Sequence, residues 1–248
     1  MWLAGESIRG ILLDVEGTTT HVDFVYETLF PYARQNALNF LRQHWISAEV
    51  QTDIRGLREQ HALDQSQGLQ PPPLKLDSPE AELASTLDYL NWLMDRDSKA
   101  TPLKSLQGKI WEEGYGAGTL KAHVFPDVPK ALQRWSRQSK VISIFSSGSV
   151  LAQKQLFAHT IAGDLTGYIR HYFDTTTGPK RDPESYRRIA SAIGLESSTI
   201  VFLSDVKEEL DAAQSAGMRT MLCLRPGNRP QPAGAPHATI CTFDDLLP

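Results

Sequence analysis

Short β-prone segments alternate with amphipathic segments in the second half of the chain, and this alternation constrains the fold most. After residue 124, strands are predicted at Val141 to Phe145, Ile200 to Leu203 and Thr220 to Leu224. Between them, Asp182-Pro183 marks the start of a helix and Gly194 its end. Alternating units of this kind build a parallel sheet with helices packed on it.

One more strand lies far upstream of the others. Ile8 to Leu13 is apolar, and it must end at Asp14 because the following Glu-Gly-Thr-Thr-Thr favours neither strand nor helix. The long region after it has helical periodicity only, and one short strand is not buried alone. We therefore predict an α/β protein with a Rossmann-like parallel-sheet core at residues 1–21 and 123–248. An all-helical cap domain is predicted as an insertion at residues 22–122.

Helix starts within this insertion are marked by a hydroxyl residue followed by proline. Apolar residues recur at helical spacing from Val25 to Trp45, and a proline-rich loop runs from Gln65 to Leu76. Two further helices are predicted to begin at Ser78-Pro79 and at Thr101-Pro102. At such sites the hydroxyl caps the first turn, and proline occupies the first helical position.

Composition and charge exclude several classes of protein. The 248 residues are 41% hydrophobic and 22% charged, as in ordinary globular proteins. A net charge of −4 without a dense Lys/Arg stripe argues against nucleic acid as a partner, and no apolar run approaches the roughly 20 residues that cross a membrane. Glu6 and Arg9 interrupt the place of a secretory signal, and Cys223 and Cys241 suggest no disulfide framework. We expect a cytoplasmic protein.

Polar residues stand at or near the ends of the core strands. They are Asp14 with Glu16, Ser146-Ser147-Gly148, Lys180 and Ser204-Asp205. Parallel α/β sheets gather ligand sites at the carboxyl ends of their strands. Two carboxylates suit Mg²⁺, while serine and lysine donate to phosphate oxygens. The set predicts a phosphoryl-transfer pocket with one carboxylate as nucleophile, a metal as charge clamp and a second carboxyl as proton carrier.

Taken singly, these residues have ordinary explanations. An aspartate or serine after a strand is often only a helix cap or a turn residue, and Lys180 alone would be a solvated side chain. Their order along one sheet favours a site instead. The histidines have no zinc-ligand spacing, and no G-x-S-x-G, P-loop or dinucleotide-binding motif is present.

The four motifs resemble those of the haloacid dehalogenase-like hydrolases. The matching segments are Asp14-Val-Glu16-Gly-Thr-Thr, Phe145-Ser-Ser-Gly-Ser149, Lys180 and Leu203-Ser-Asp205-Val. Glu16 replaces the second aspartate of the usual Asp-x-Asp. Together with Leu29-Phe-Pro-Tyr32, Leu106-Gln-Gly108 and Trp111, this set is similar to the enolase-phosphatase family of methionine salvage over nearly the whole chain. His21 departs from the family's usual proline and lies at Thr18 to Asp23, the first of two segments predicted to act as hinges between the cap and the core.

The resemblance implies a Mg²⁺-dependent bifunctional enzyme. Such an enzyme first enolises 2,3-diketo-5-methylthiopentyl-1-phosphate and then removes its phosphate, which leaves the acireductone 1,2-dihydroxy-3-keto-5-methylthiopentene. It implies that Asp14 is the nucleophile and Glu16 the general acid/base. The implied phosphate binders are Ser146, Ser147, Gly148 and Lys180. The implied ligands of one Mg²⁺ per chain are Asp14, Glu16 and Asp205, with Glu209 as a supporting acid. A monomer is expected.

Three alternatives remain open from the sequence. They are a phosphatase of the same superfamily for another small phosphate ester, a non-catalytic phosphoacceptor domain, and a binding protein with an inactive pocket.

Two aromatic residues of the helical insertion have two possible roles. Trp111 and Tyr115 lie four apart on a predicted helix, so they share one face. They either line the pocket for the methylthio tail or pack the interior of the cap.

Overall fold

A computed structural model describes residues 8–230 and 236–247 of the chain. Six parallel strands form one sheet in the order β3-β2-β1-β4-β5-β6. The strands are Gly10–Leu13 (β1), Val141–Phe145 (β2), His171–Phe173 (β3), Ile200–Ser204 (β4), Arg219–Cys223 (β5) and Ala238–Ile240 (β6). The predicted α/β class with a parallel-sheet core is confirmed.

Strand β1 lies at the centre of the sheet, and its register sets the level of the polar strand ends. All four of its residues are buried. Leu13 pairs with Ile144 of β2 and with Leu203 of β4. Asp14 therefore emerges beside the ends of both neighbouring strands, as parallel α/β sheets require of a shared ligand site.

The two outer strands, β3 and β6, are not predicted from the sequence. Each has only three residues and lies at an edge of the sheet. A segment of three residues is too short to show the alternation of apolar and polar residues by which a strand is recognised. Residues 231–235, within the proline-rich segment before β6, lie outside the described part of the chain.

Four α-helices accompany this sheet: Asp127–Arg137 (α5), Val150–Ala158 (α6), Pro183–Ile193 (α7) and Lys207–Ser215 (α8). The predicted limits of α7 are confirmed. The Asp182 carboxylate accepts a hydrogen bond from the Glu184 N–H at 2.9 Å. Gly194 ends the helix in the left-handed conformation, with φ of 75°.

The core between α7, α8 and the sheet is apolar and holds one end of the site. Tyr186, Phe145 and Phe202 are fully buried and pack ring against ring, at centroid distances of 5.5 and 5.1 Å. The Tyr186 hydroxyl donates to the Lys180 carbonyl at 2.7 Å. Packing of α7 thus holds the backbone of the loop that carries Lys180.

The chain divides into two compact units, Met1–Val25 with Lys121–Pro248 and Tyr26–Leu120. The second unit contains four α-helices: Phe30–His44 (α1), Ala48–Ser66 (α2), Pro79–Asp95 (α3) and Thr101–Gly116 (α4). A π-helix at Phe24–Leu29 precedes them. The predicted boundaries at residues 22 and 122 stay a prediction.

Helix α2 has no counterpart among the predicted helices, and one predicted cap is wrong. Ser78 caps α3 as predicted, accepting from the Ala81 N–H at 3.2 Å. Thr101, in contrast, is the first residue of α4, and Ala100 is the N-cap without a side-chain hydrogen bond. Pro102 fits the first turn equally well in either register, so the sequence does not separate them. Within the described residues, no helix is long and apolar enough to span a membrane.

Candidate active site

Asp14, Lys180 and Glu209 form a buried ion-pair chain at the carboxyl end of β1. The Lys180 ammonium contacts Asp14 Oδ1 at 2.5 Å and Glu209 Oε2 at 2.7 Å. The exposed fraction of the side chain is only 10% for Lys180, 4% for Asp14 and 12% for Glu209. One cation therefore joins two carboxylates, one directly after β1 and the other on α8.

The charges of this chain shift its proton equilibria. Burial would lower the pKa of Lys180, but Asp14 and Glu209 outweigh burial and raise it above its ordinary value. Burial raises the pKa of Glu209, and the nearby Asp14 charge raises it further. Lys180 is thus a fixed positive charge, suited to hold a carboxylate and a phosphate oxygen rather than to exchange protons.

Ser204, the last residue of β4, completes the surroundings of Asp14. Its hydroxyl donates to Glu209 Oε2 at 3.0 Å, lies 3.5 Å from Asp14 Oδ2, and accepts from the Val206 N–H at 3.1 Å. Ser204 is fully buried. It lies inside a motif recognised in the sequence, but only its neighbour Asp205 is predicted to act.

Glu16 lies two residues beyond Asp14, in a tight turn. The N–H groups of Thr18, Thr19 and Thr20 all point to the Val15 carbonyl, at 3.3, 2.9 and 3.0 Å. Burial raises the pKa of the Glu16 carboxyl, and the neighbouring Asp14 charge adds to this increase. A carboxyl with a raised pKa beside an ionised one is the arrangement expected of an acid/base catalyst next to a nucleophile.

Asp205 follows β4 and lies against the same turn. Burial and then the Asp14 charge raise the pKa of Asp205 to about 7. Gly17, with φ of 68°, leaves room for the Asp205 carboxylate. Asn228 supports this turn, since its Nδ2 donates to the Gly17 carbonyl at 2.8 Å and to the Cys223 carbonyl at 3.2 Å. No local pattern in the sequence points to Asn228.

The loop after β2 carries the predicted phosphate binders. Ser146 is buried, Ser147 is exposed and Gly148 is partly buried. The Ser146 hydroxyl lies 3.5 Å from Glu16 Oε2 and accepts from the Gly148 N–H at 3.1 Å. The exposed hydroxyl of Ser147 is accessible to a ligand, whereas that of Ser146 faces the carboxylates.

The chemistry of the donor set fits a divalent cation. Burial and the charge of Asp14 raise the pKa values of Glu16, Asp205 and Glu209, and the positive charge of Lys180 opposes these increases. Across the described residues, no group of three or more His, Cys, Asp or Glu side chains is arranged so that it could hold a metal ion by itself. Magnesium ordinarily takes one or two carboxylates and fills its remaining positions with water and substrate phosphate.

The two aromatic candidates in the helical unit are buried in its interior. Trp111 is 8% exposed, and its indole N–H donates to the Leu29 carbonyl at 2.8 Å. Phe30 lies beside it at a ring distance of 6.3 Å. Tyr115 is 4% exposed, and burial raises its pKa. These contacts favour packing of the unit, so a role in specificity stays a prediction.

Comparison with known proteins matches this chain to a family. Residues 8–217 match the model of the haloacid dehalogenase-like hydrolases. Enolase-phosphatase E1 of Synechococcus elongatus is 46% identical over 240 residues, which cover 97% of this chain and 98% of that protein. The chain belongs to the enolase-phosphatase E1 family. The enolase-phosphatase E1 of Sorangium cellulosum is similarly close, with 45% identity over 99% of this chain and all of that protein.

Solved structures share the fold of this enolase-phosphatase E1 family member. The UTR4 protein of Saccharomyces cerevisiae has a TM-score of 0.79 and 34% identity, and covers 96% of this chain and all of its own. A dehalogenase with a TM-score of 0.54 and 16% identity over 97% of this chain shares the fold. These structures confirm the predicted fold, and the family model with the enolase-phosphatase relatives confirms the predicted enzyme class.

The structure brings most of the predicted site residues together. The charges of Asp14 and Lys180 act on the pKa values of Glu16, Asp205 and Glu209, and the Ser146 hydroxyl lies 3.5 Å from Glu16 Oε2. Gly17, Ser204 and Asn228 also lie at the site, although the sequence analysis gives none of them a role. Gly17 and Ser204 had a signal, because both lie inside the quoted motifs, whereas Asn228 had none.

Proposed function

We propose that this protein is a bifunctional enolase-phosphatase that converts 2,3-diketo-5-methylthiopentyl-1-phosphate to the acireductone and phosphate in methionine salvage. The observation that carries the proposal is the buried Asp14 carboxylate, held by Lys180 beside the buried acid Glu16. The relatives at 45 and 46% identity are named for both activities. Glu16, in place of the superfamily's second aspartate, and the cap motifs support the enolase half through their resemblance to the enolase-phosphatase family.

In the phosphatase step, Asp14 acts as the nucleophile. Lys180 binds Oδ1, which orients the carboxylate and leaves Oδ2 for attack on phosphorus. The ester P–O bond breaks, its electron pair stays on the leaving oxygen, and Glu16 supplies a proton to that oxygen. Water then attacks the phosphorus of the Asp14 phosphate, and ionised Glu16 accepts the water's proton. The bond between phosphorus and Asp14 Oδ2 breaks with its electron pair on Oδ2, which releases inorganic phosphate and regenerates the Asp14 carboxylate.

One Mg²⁺ per chain belongs to the proposal. Asp14 and Asp205, with Glu16 beside them, would hold the ion. When bound, it supplies positive charge that stabilises a phosphate or an enediolate. Ser146, Ser147, Gly148 and Lys180 would bind the phosphate oxygens that the metal leaves free.

The enolisation step needs a base that takes a carbon-bound proton. Two carboxyl groups beside Asp14 are candidates, those of Glu16 and Glu209. Glu16 is one methylene longer than the aspartate usual in this superfamily, so its carboxyl reaches farther from Asp14. Glu209 is held by Lys180 and Ser204 and has no such freedom. We therefore assign the acid/base role to Glu16 and a supporting role to Glu209.

The helical unit, predicted at residues 22–122, is proposed to act as a cap that reads the methylthio tail. The phosphate-binding motifs recognise only phosphate and metal, so selectivity for an apolar tail requires other surfaces.

We also propose that the protein is a cytoplasmic monomer. Cys241 is an exposed free thiol, which fits a reducing compartment.

The proposal is tested by assaying the purified chain with the diketo phosphate while following enol absorbance and free phosphate together. We expect absorbance to rise before phosphate appears, and both to stop in excess EDTA. Release of phosphate without an enol intermediate would reduce the assignment to a simple phosphatase. Turnover that persists in EDTA would contradict the role of Mg²⁺.

A further inference from the structure

The side chain of Gln153 on α6 is hydrogen-bonded to the loop that carries Ser146, Ser147 and Gly148. We infer that Gln153 is a positioning residue that fixes this loop for phosphate binding. The inference deepens the proposed function and rests on it. Gln153 is 3% exposed, and its side-chain hydrogen bonds go to backbone carbonyls rather than to the carboxylates of the site. Its effect would therefore be transmitted through the backbone.

The hydrogen bonds of Gln153 join the loop to the neighbouring strand. Its Nε2 donates to the Gly148 carbonyl at 2.7 Å and to the Phe173 carbonyl, at the end of β3, at 2.9 Å. The Phe173 carbonyl also accepts the Ser146 N–H at 3.2 Å. Both ends of the Ser146 to Gly148 segment are thereby fastened to the end of β3, one directly and one through the glutamine amide.

The two carbonyl acceptors determine the orientation of this amide. Its NH₂ group must face Gly148 and Phe173, because the amide oxygen would be repelled by both carbonyls. Oε1 of Gln153 is consequently buried without a partner among the described residues. A buried acceptor left unpaired costs free energy. That cost is explained if both N–H groups of the Gln153 amide are needed to hold the Gly148 and Phe173 carbonyls.

A clamp on the Gly148 carbonyl controls the peptide that follows. The peptide bond is planar and trans, so the Ser149 N–H points opposite to the Gly148 carbonyl. A peptide that begins at glycine rotates at low cost, and rotation would reverse the direction of that N–H. By holding the carbonyl, Gln153 keeps the N–H groups of the loop in one arrangement, which is what an anion site built from backbone donors requires.

The same helix provides a matched control. Gln155 is also buried, at 7% exposure, and neither its amide nitrogen nor its amide oxygen has a hydrogen-bond partner in the described structure. It therefore resembles Gln153 in residue type, helix and burial, but it lacks the bonds to the loop. Changing each glutamine to methionine removes an amide of similar length while retaining apolar bulk.

The test measures binding of inorganic phosphate to the Mg²⁺-loaded protein by calorimetry, for wild type, Gln153→Met and Gln155→Met. We expect Gln153→Met to bind phosphate roughly tenfold more weakly, the effect of losing about one hydrogen bond. Its affinity for Mg²⁺ should not change. For p-nitrophenyl phosphate, KM should rise more than kcat falls. Gln155→Met should match wild type in all three measurements.

Several outcomes decide the question. Unchanged phosphate affinity in folded Gln153→Met overturns the inference and leaves the proposed function intact. Equal losses in the Gln153 and Gln155 variants also overturn it, because they would reflect packing of α6 only. Gln153→Leu replaces the methionine variant if circular dichroism shows that the latter is unfolded. Wild-type protein that binds no phosphate would instead overturn the proposed function, and this inference with it.

Discussion

The Asp205 carboxylate occupies the space where a side chain at Gly17 would lie. A Cβ built on Gly17 would stand 2.6 Å from Asp205 Cγ and 2.9 Å from Asn228 Oδ1. Gly17 also has φ of 68°, which L-residues with a side chain rarely adopt. The turn after β1 and the carboxylate after β4 therefore depend on each other's shape.

Gly17→Ala should consequently displace Asp205 and weaken Mg²⁺-dependent activity by at least about tenfold, the effect of about 1.4 kcal/mol. Steady-state assays over a range of Mg²⁺ concentrations measure this change. Gly163→Ala is the control, since Gly163 has φ of 92° but no atom within 4 Å of its would-be Cβ. It should cost stability through backbone strain without changing the Mg²⁺ requirement. Equal Mg²⁺ requirements in both variants would contradict the steric explanation.

Asp205→Asn should stabilise the metal-free protein above neutral pH. The pKa of Asp205 is about 7 in the folded protein and roughly 3.9 in an unfolded chain. Between these values the folded state binds the extra proton, so the contribution of Asp205 to stability falls as pH rises through 7. The gain from Asn should therefore be larger at pH 8 than at pH 5.5 in urea unfolding without metal.

Asp211→Asn provides a control of opposite sign on helix α8. Hydrogen bonding to Lys207 lowers the pKa of Asp211, and His237 lies 3.0 Å from its other oxygen. Its charge favours folding above the unfolded pKa, and asparagine should reduce stability at pH 8. Added Mg²⁺ should stabilise wild type and Asp211→Asn but have little effect on Asp205→Asn. A variant Asp205→Asn that is less stable than wild type at pH 8 without metal would refute the electrostatic argument.

The residues that could be predicted from the sequence are those with a local signature. Asp14 and Asp205 each follow a run of apolar β-formers, so both could be placed at one sheet edge before any contact was known. Gln153 and Asn228 lie in a helix and a loop of ordinary composition. Their hydrogen bonds reach carbonyls that the chain brings near only after folding. Single-sequence patterns contain no trace of such tertiary contacts.

Asp14→Asn should abolish phosphate release without unfolding the protein. The neutral amide cannot attack phosphorus, and loss of the charge removes the partner of Lys180 at 2.5 Å. We expect less than about 1% of wild-type turnover, a loss equivalent to more than roughly 2.7 kcal/mol in the barrier. Thermal unfolding followed by circular dichroism checks the fold. Activity above a few per cent of wild type would assign the nucleophile to another residue.

Gly114→Ala should destabilise the helical unit. The Tyr32 ring lies against this position in α4, and a Cβ there would come within 2.6 Å of the Tyr32 hydroxyl oxygen. Tyr32 cannot move freely, because its hydroxyl is hydrogen-bonded to Thr119 at 2.9 Å. We expect a loss of about 1–3 kcal/mol, as for other overpacked sites, measured by urea unfolding. Gly116→Ala, in the same helix with nothing near its would-be Cβ, should be neutral or slightly stabilising.

Trp111 separates the two roles considered for the helical unit. Trp111→Phe removes the hydrogen bond to the Leu29 carbonyl at 2.8 Å but keeps an aromatic ring in the site. If Trp111 packs the unit, the variant should lose about 1 kcal/mol of stability and the same fraction of kcat/KM on every substrate. If it reads the methylthio tail, the diketo phosphate should lose far more kcat/KM than p-nitrophenyl phosphate. Burial of the indole and its bond to the backbone favour the first result, and a loss confined to the diketo phosphate would overturn it. Tyr115→Phe, measured beside it, tests whether the second aromatic follows the same pattern.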